Sequence, residues 1–205
     1  MLGRDFLHPL LRFALQFPNG WEVINTPTQV VAWQPGEEVY MVLQLVTDPA
    51  TRDLEQLAGD NMQESGFRLY SGGEIGVGDL EAFIGTFTGE STDVDEPRAR
   101  VAYIDCDGTV YILGGLTDGA AYDRVESAFN TVIRSFRPLS AAEAEDIRLN
   151  RLRFYTVRSA DAWQSIAQNA GQSIIPSNTL AVLNAVSVNE QPRRGDRIKV
   201  AVAGN

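Results

Sequence analysis

In 205 residues the chain has one cysteine, one histidine and one lysine. Each scarcity closes a route. A lone Cys106 cannot form an internal disulfide, and since disulfides are optional outside the cytosol, it leaves the compartment open. A thiol nucleophile needs a basic partner, usually histidine. The only histidine is His8, and Cys106 lies in Ile104-Asp-Cys-Asp-Gly108, at the end of a strand before an Asp-Gly turn. A structural thiol is expected there. Metal sites of the zinc type take three or four ligands, so His8, alone in an apolar-flanked loop, is not read as a ligand. No apolar run approaches the roughly 18 residues that a membrane-spanning helix needs. The start, Met1-Leu-Gly-Arg-Asp5, lacks the basic-then-apolar pattern of a secretion signal. An apolar strand follows almost at once, as expected of a portion cut from a longer protein.

Apolar residues make up 44 % of the chain, enough for a packed core. Charge is divided unevenly. Residues 1–150 hold 10 Arg against 24 acids, a net of −14, whereas residues 151–205 hold six Arg and Lys199 against three acids, a net of +4. The asymmetry predicts two domains. The acidic part should repel nucleic acid. The basic part suits an anionic polymer such as a cell-wall glycan-peptide or teichoic acid, or is simply a solvated face.

Strand patterns dominate the first 138 residues. Leu11, Phe13, Leu15 and Phe17 alternate on one side, and Pro18-Asn-Gly20 turns the chain into Trp21-Glu-Val-Ile. Trp21 and Trp33 are read as core residues. Gln29–Trp33 and Val39–Val46 flank a hairpin turn. Apolar residues at 54, 57, 58 and 62 predict a helix capped by Asp48 or Thr51. Gly73, Gly76 and Gly78 lack the dinucleotide-binding spacing and are assigned to turns and bulges. Leu80–Thr88, Arg98–Ile104 and Thr109–Gly114 predict three strands, the last two joined at Asp107-Gly108, and Glu90–Pro97 an acidic loop. Val125, Phe129, Val132, Ile133 and Phe136 form one stripe of an amphipathic helix. Ser140-Ala-Ala-Glu143 is a capping-box sequence that starts a helical linker over 139–150.

Phe17-Pro-Asn-Gly-Trp21, together with the hairpin strands, the middle helix and the closing helix ending Ser135-Phe136, resembles PsbP-like domains over residues 9–138. That resemblance implies a twisted antiparallel sheet flanked by helices and a mostly non-enzymatic accessory role. Tyr155-x-Val157, Ile166-Ala167, Leu183-Asn184 and Gly195-Asp-Arg-Ile198 resemble a LysM module over residues 152–201, a small βααβ domain usually tied to peptidoglycan. The stretch after its first strand reads Ser159-Ala-Asp161-Ala-Trp163, where many such modules read Gly-Asp-Thr. The resemblance implies glycan-binding loops at Ser159–Trp163 and Ser187–Glu190, with Ser159, Asp161, Trp163 and Asn189 as candidate ligand residues. Equally, Asp161 caps the helix starting near Ala162 and Trp163 packs inward.

The expected class is therefore α+β, with a PsbP-like domain over 1–138, a linker over 139–150 and a LysM-like domain over 151–205. The two resemblances in this order are similar to the C-terminal region of certain bacterial HtpX-like zinc metalloproteases. There, a His-Glu-x-x-His helix lies upstream and supplies the zinc site. This chain is then expected to be non-catalytic and without a cofactor of its own. It would position the enzyme at the cell envelope, periplasm or extracellular face, or recruit substrate and partner proteins. The alternative is a standalone peptidoglycan-binding or protein-interaction module. A third class, a hydrolase on Asp105, Asp107 and Asp118, needs carboxylates roughly 5–10 Å apart.

Overall fold

The computed structural model describes residues 5–47, 49, 53–90, 96–147, 150–171, 174–187 and 189–204. The chain divides into two compact units, Met1–Ala144 and Glu145–Asn205.

The larger unit opens with β1 (Asp5–His8), β2 (Phe13–Gln16), β3 (Glu22–Asn25), β4 (Gln29–Trp33) and β5 (Tyr40–Leu45). Helix α1 (Leu54–Glu64) follows, then β6 (Phe67–Glu74), β7 (Ala82–Gly89), β8 (Arg98–Cys106), β9 (Thr109–Thr117), α2 (Tyr122–Arg134), β10 (Arg137–Pro138) and α3 (Ala141–Asp146). Seven strands form one antiparallel sheet in the order β3-β4-β5-β9-β8-β7-β6, and β1-β2-β10 form a second, three-stranded sheet. The fold class is α+β with antiparallel sheets, as expected.

The central strands are buried on both faces. Val30, Ala32, Met41, Leu43, Ile84, Ala102, Ile104 and Leu113 point to a core shared with α2 and the small sheet. Their neighbours Phe83, Phe87, Ala99, Val101, Tyr103 and Val110 point the other way, to a core shared with Leu57 and Ala58 of α1. Two-sided burial explains why β7 reads Ala-Phe-Ile-Gly-Thr-Phe rather than alternating. Tyr103 lies among these side chains, and burial pushes its hydroxyl up to about 12. Glycine fits where a layer comes close. A Cβ on Gly115 of β9 would stand 2.4 Å from the Phe129 ring of α2. The β8–β9 turn holds Asp107 and Gly108 at φ +53° and +78°, the pair of positive angles such a hairpin needs.

Local differences from the sequence reading have local causes. The strand expected from Leu10 begins only at Phe13, because Leu10–Arg12 form the turn from β1. His8 belongs to β1, not to a loop; its ring stacks on Phe13 at 5.1 Å, and its Nδ1 accepts the Leu11 amide. Strand β6 escaped notice because its residues are mostly exposed and end in Ser-Gly-Gly. Helix α1 is capped by Asp53, whose carboxylate accepts the Gln56 amide at 2.9 Å; Asp48 and Thr51, the expected caps, lie outside the described residues. Most of the acidic loop, 91–95, does too. The Ser140–Glu143 box closes reciprocally, at 2.9 and 3.2 Å, and α3 ends at Asp146 rather than near Asn150.

The smaller unit runs β11 (Arg151–Thr156), α4 (Trp163–Asn169), α5 (Ser177–Leu183) and β12 (Arg197–Val202). Its strands pair antiparallel, from Arg151 opposite Val202 to Thr156 opposite Arg197. Val157, Trp163, Ile166, Leu180, Ile198 and Val200 make its core.

Gly115→Ala should destabilise the larger unit by about 1–3 kcal/mol through overpacking against Phe129. Gly73→Ala, where a Cβ meets nothing within 4 Å, should cost well under half of that; urea unfolding of both variants checks the pair. His8 offers a second test. Burial holds its pKa below 6.5, so the unfolded chain binds the proton first and stability falls as pH drops below 6.5 toward the folded pKa. The lone imidazole should titrate below 6.5 by NMR, and His8→Gln should flatten that part of the stability profile.

Candidate functional site

Two four-residue turns build one end of the smaller unit. In the first, the Asp161 amide donates to the Arg158 carbonyl at 3.2 Å, and the Asp161 carboxylate accepts the Arg158 amide at 2.7 Å. In the second, the Asp196 amide donates to Arg193 at 3.0 Å, and its carboxylate accepts the Arg193 amide at 2.9 Å. Arg-x-x-Asp thus closes both turns in the same way. They are laced together, since Gly195 donates to the Val157 carbonyl and Val157 donates to Asp196, each at 2.9 Å. Gly195 sits at φ +92°, which a side chain would oppose.

Asp161 also accepts the Tyr155 hydroxyl at 2.8 Å. The Arg158 amide, and then this hydroxyl, hold its carboxyl below the ordinary range, while the same bond raises the Tyr155 phenol. Asp161 therefore braces its loop rather than capping α4. The α4 end is closed instead by Ser165, whose hydroxyl accepts the Ala162 amide at 3.0 Å.

Trp163 is 3 % exposed, and its indole N–H donates to the Glu190 carbonyl at 2.6 Å. This bond joins the two loops that the sequence marked, Ser159–Trp163 and Ser187–Glu190. The ring itself faces the core and offers no face for stacking. Asn189 is exposed, and its amide donates to the Ser187 hydroxyl at 3.4 Å. Ser159 is exposed on the other turn. The structure thus keeps Ser159 and Asn189 on the surface, uses Asp161 as a brace and buries Trp163.

Sequence reading missed the outer face of the β11–β12 ribbon. Leu152 and Phe154 are 60 % and 61 % exposed there. Phe154 pairs with Lys199 and Thr156 with Arg197, so apolar and cationic side chains share this face. The Arg197 guanidinium lies 4.2 Å from the Phe154 ring centroid, a cation–π contact. Beside it a hollow of about 510 Å³ is lined by Phe154, Thr156, Arg158, Ser159, Arg194 and Gly195, among others. The usable signal was the alternation Leu152-Arg-Phe154, which on a half-buried strand leaves an aromatic facing solvent. Asn184 does not join this face; its amide group pairs with Lys199 N–H and C=O at 2.7 and 2.9 Å, extending the sheet to α5.

In the larger unit the three aspartates do not share one place, and Asp118 stands apart from Asp105. Asp105 accepts the Gly108 amide at 2.8 Å, and Asp118 accepts the Ala121 amide at 2.7 Å. Asp105 lies opposite Val110 and Asp118 follows Thr117, so they stand at opposite ends of β9, roughly 26 Å apart at about 3.3 Å per residue. Cys106 is buried, and burial, then Asp107 and Asp105, raise its thiol pKa. A hollow of about 610 Å³ is lined by Asp53, Glu74, Asp79 and Glu81 with neighbouring residues. Among the described residues no three His, Cys, Asp or Glu side chains stand close enough to hold a metal. No described helix is long and apolar enough to cross a membrane.

Neither a family model nor a curated protein matches the chain. Solved structures do resemble it. Cyanobacterial PsbP (CyanoP) from Synechocystis sp. PCC 6803 is 15 % identical, with 65 % of this chain and 91 % of that one covered and a TM-score of 0.47. A protein from Bacteroides thetaiotaomicron is 12 % identical over 84 % of this chain and 59 % of its own, with a TM-score of 0.50. LpqN of Mycobacterium tuberculosis, involved in cell envelope biogenesis there, is 16 % identical over 62 % and 83 %, with a TM-score of 0.48. At these identities the likeness is one of fold.

Trp163→Ala should cost about 3–5 kcal/mol and unfold the smaller unit. Asn189→Ala should leave its stability within about 0.5 kcal/mol. Thermal and urea unfolding followed by NMR of residues 151–202 separates the two.

Proposed function

We propose that this chain is a non-catalytic accessory region of a bacterial envelope protein, whose smaller unit holds it to an anionic polymer of the cell wall. The observation that carries the reading is the ribbon face on which exposed Phe154 and Leu152 stand among Arg197, Lys199, Arg158 and Arg194. Guanidinium groups beside an exposed ring suit an extended chain of sugars bearing carboxylates or phosphates. The aromatic surface contributes contact area, and the cations contribute attraction that salt weakens. The carboxylates of Asp161 and Asp196 accept backbone amides rather than reaching toward this face.

The resemblance of the smaller unit to LysM modules agrees with peptidoglycan as the polymer. The resemblance of the whole to the C-terminal region of HtpX-like zinc metalloproteases supports a parent in which a peptidase domain upstream would carry the zinc and this region would place it at the envelope. In that arrangement the larger unit presents a surface to substrate or partner proteins.

Purified sacculi should retain the full chain at low salt and release it as salt rises. The triple variant Arg194→Ala/Arg197→Ala/Lys199→Ala should reduce retention by about tenfold, and Phe154→Ala should reduce it further. Sacculi stripped of teichoic acid distinguish the glycan-peptide from the phosphate polymer. Undiminished retention of the triple variant would remove the basis for wall binding, and zinc-dependent peptide cleavage by this chain would defeat the non-catalytic reading.

A further inference from the structure

Among the described residues, the seven-stranded sheet is covered unequally on its α1 face. Helix α1 rests on β6, β7 and β8. The opposite half of the same face carries two apolar rows fixed by strand register. One runs Ile24–Val31–Val42–Gly114 and the other Glu22–Trp33–Tyr40–Leu116. Their neighbours along each strand, Val30, Ala32, Met41 and Leu43, belong to the core on the α2 face, so these rows point away from it. Ile24 is 52 % and Tyr40 42 % exposed, and Val31, Trp33 and Val42 are half-buried. An antiparallel sheet facing water normally alternates to polar residues; Gln29 and Gln44 do so at one end of this half and Glu22 at its edge, but Ile24, Val31, Trp33, Tyr40 and Val42 stand between them. Contiguous apolar surface of this kind marks an interaction site, and Trp and Tyr are enriched where binding energy concentrates.

The shape and charge of the site select an occupant. Strands β3, β4, β5 and β9 span about 14–19 Å at roughly 4.8 Å per strand, room for one helix of about 10 Å beside α1. A hollow of about 500 Å³ already runs along that flank of α1, lined by Leu57, Asp60 and Glu64 together with Val46 and Thr47 after β5. Asp60 and Glu64 are exposed on this wall, and Glu22 and Glu38 are exposed at the far rim. An apolar floor between acidic walls is complementary to an amphipathic helix whose polar flanks are basic.

We infer that the open half of the α1 face is a docking site for a basic amphipathic helix of a partner protein, which completes the helical layer begun by α1. The inference goes beyond wall binding and does not depend on it, since it uses the other unit and the opposite charge.

The test uses the full chain and a labelled Leu/Lys peptide of about five helical turns, with Leu at i, i+3, i+4 and i+7, beside its Leu/Glu counterpart. The Lys peptide should bind and shift the methyl resonances of Ile24, Val31 and Val42, and the Glu peptide should not. Ile24→Lys and Tyr40→Lys, at exposed positions that leave the fold intact, should weaken binding at least tenfold. Leu10→Lys, at a position 81 % exposed outside these rows, should leave it unchanged. Equal binding of the Glu peptide, shifts confined to other residues, or self-association that Ile24→Lys abolishes would each overturn the inference, the last by making a second copy the occupant. Sacculus retention of Ile24→Lys should match that of the parent chain, which keeps this result separate from the wall-binding one.

Discussion

The seating of Phe129 over Gly115 is the contact on which the larger unit depends. The ring is fully buried, and β9 can receive it only because position 115 has no side chain. Once α2 lies at that depth, the rest of its stripe, Val125, Val132 and Ile133, reaches the same core. The helix then delivers Phe136 to an aromatic cluster with Phe13 and Tyr111, at 5.7 and 5.1 Å. Strand β10 follows at once and pairs with β2. The small sheet is thus bolted to the large one through rings, each centroid within the range at which aromatic pairs attract. A methyl group at position 115 would lift the helix and loosen every one of these contacts together.

The smaller unit relies on a different device. It is short of apolar area, and its core is a handful of residues around Trp163. Its loops are fixed by carboxylates that close on their own backbone, by the indole hydrogen bond to Glu190 and by Asn184 acting as a surrogate strand against Lys199. These polar groups pair with loop amides and carbonyls that would otherwise be left to water, and so fix the loop conformations. The consequence for function is direct. The groups most easily marked as ligands in the sequence, Asp161 and Trp163, are committed to holding the loops. The Arg197 guanidinium and the Phe154 ring, in contact at 4.2 Å, stay at the surface.

The readable parts of this chain were those with a strong period. The α2 stripe, the β4–β5 hairpin and the Asp107-Gly108 turn each follow from local chemistry that nothing else overrides. Strand β1 was missed because four residues ending in histidine carry no period of their own; they become a strand only by pairing with β2, from Asp5 opposite Gln16 to His8 opposite Phe13. Strand β6 was missed for the same reason, since its exposed Arg-Leu-Tyr-Ser-Gly-Gly gains a partner only in β7, across a register shift between Leu69 and Ser71. The candidate site divides in the same way. The position of the two loops in the smaller unit was given by its resemblance to LysM modules. Which side chains turn inward was not, because that depends on which carbonyl the indole N–H meets, 27 residues away in the chain.

Charge is separated along the chain, acidic in the larger unit and basic in the smaller. Hydrolytic sites bring opposed or paired titratable groups together so that their pKa values diverge. Here the acids of the larger unit are spread over turns and helix caps. Asp105, Asp118 and Asp53 each accept a backbone amide, work that a carboxylate does at any surface turn. The shifts that do occur have local causes: burial for Tyr103 and His8, a turn amide for Asp161. What the two units share instead is surface of a single sign beside exposed apolar side chains: acidic walls around Ile24 and Tyr40 in one, arginines around Phe154 in the other. Surfaces of that kind attract a partner of opposite charge from a distance and hold it by contact area.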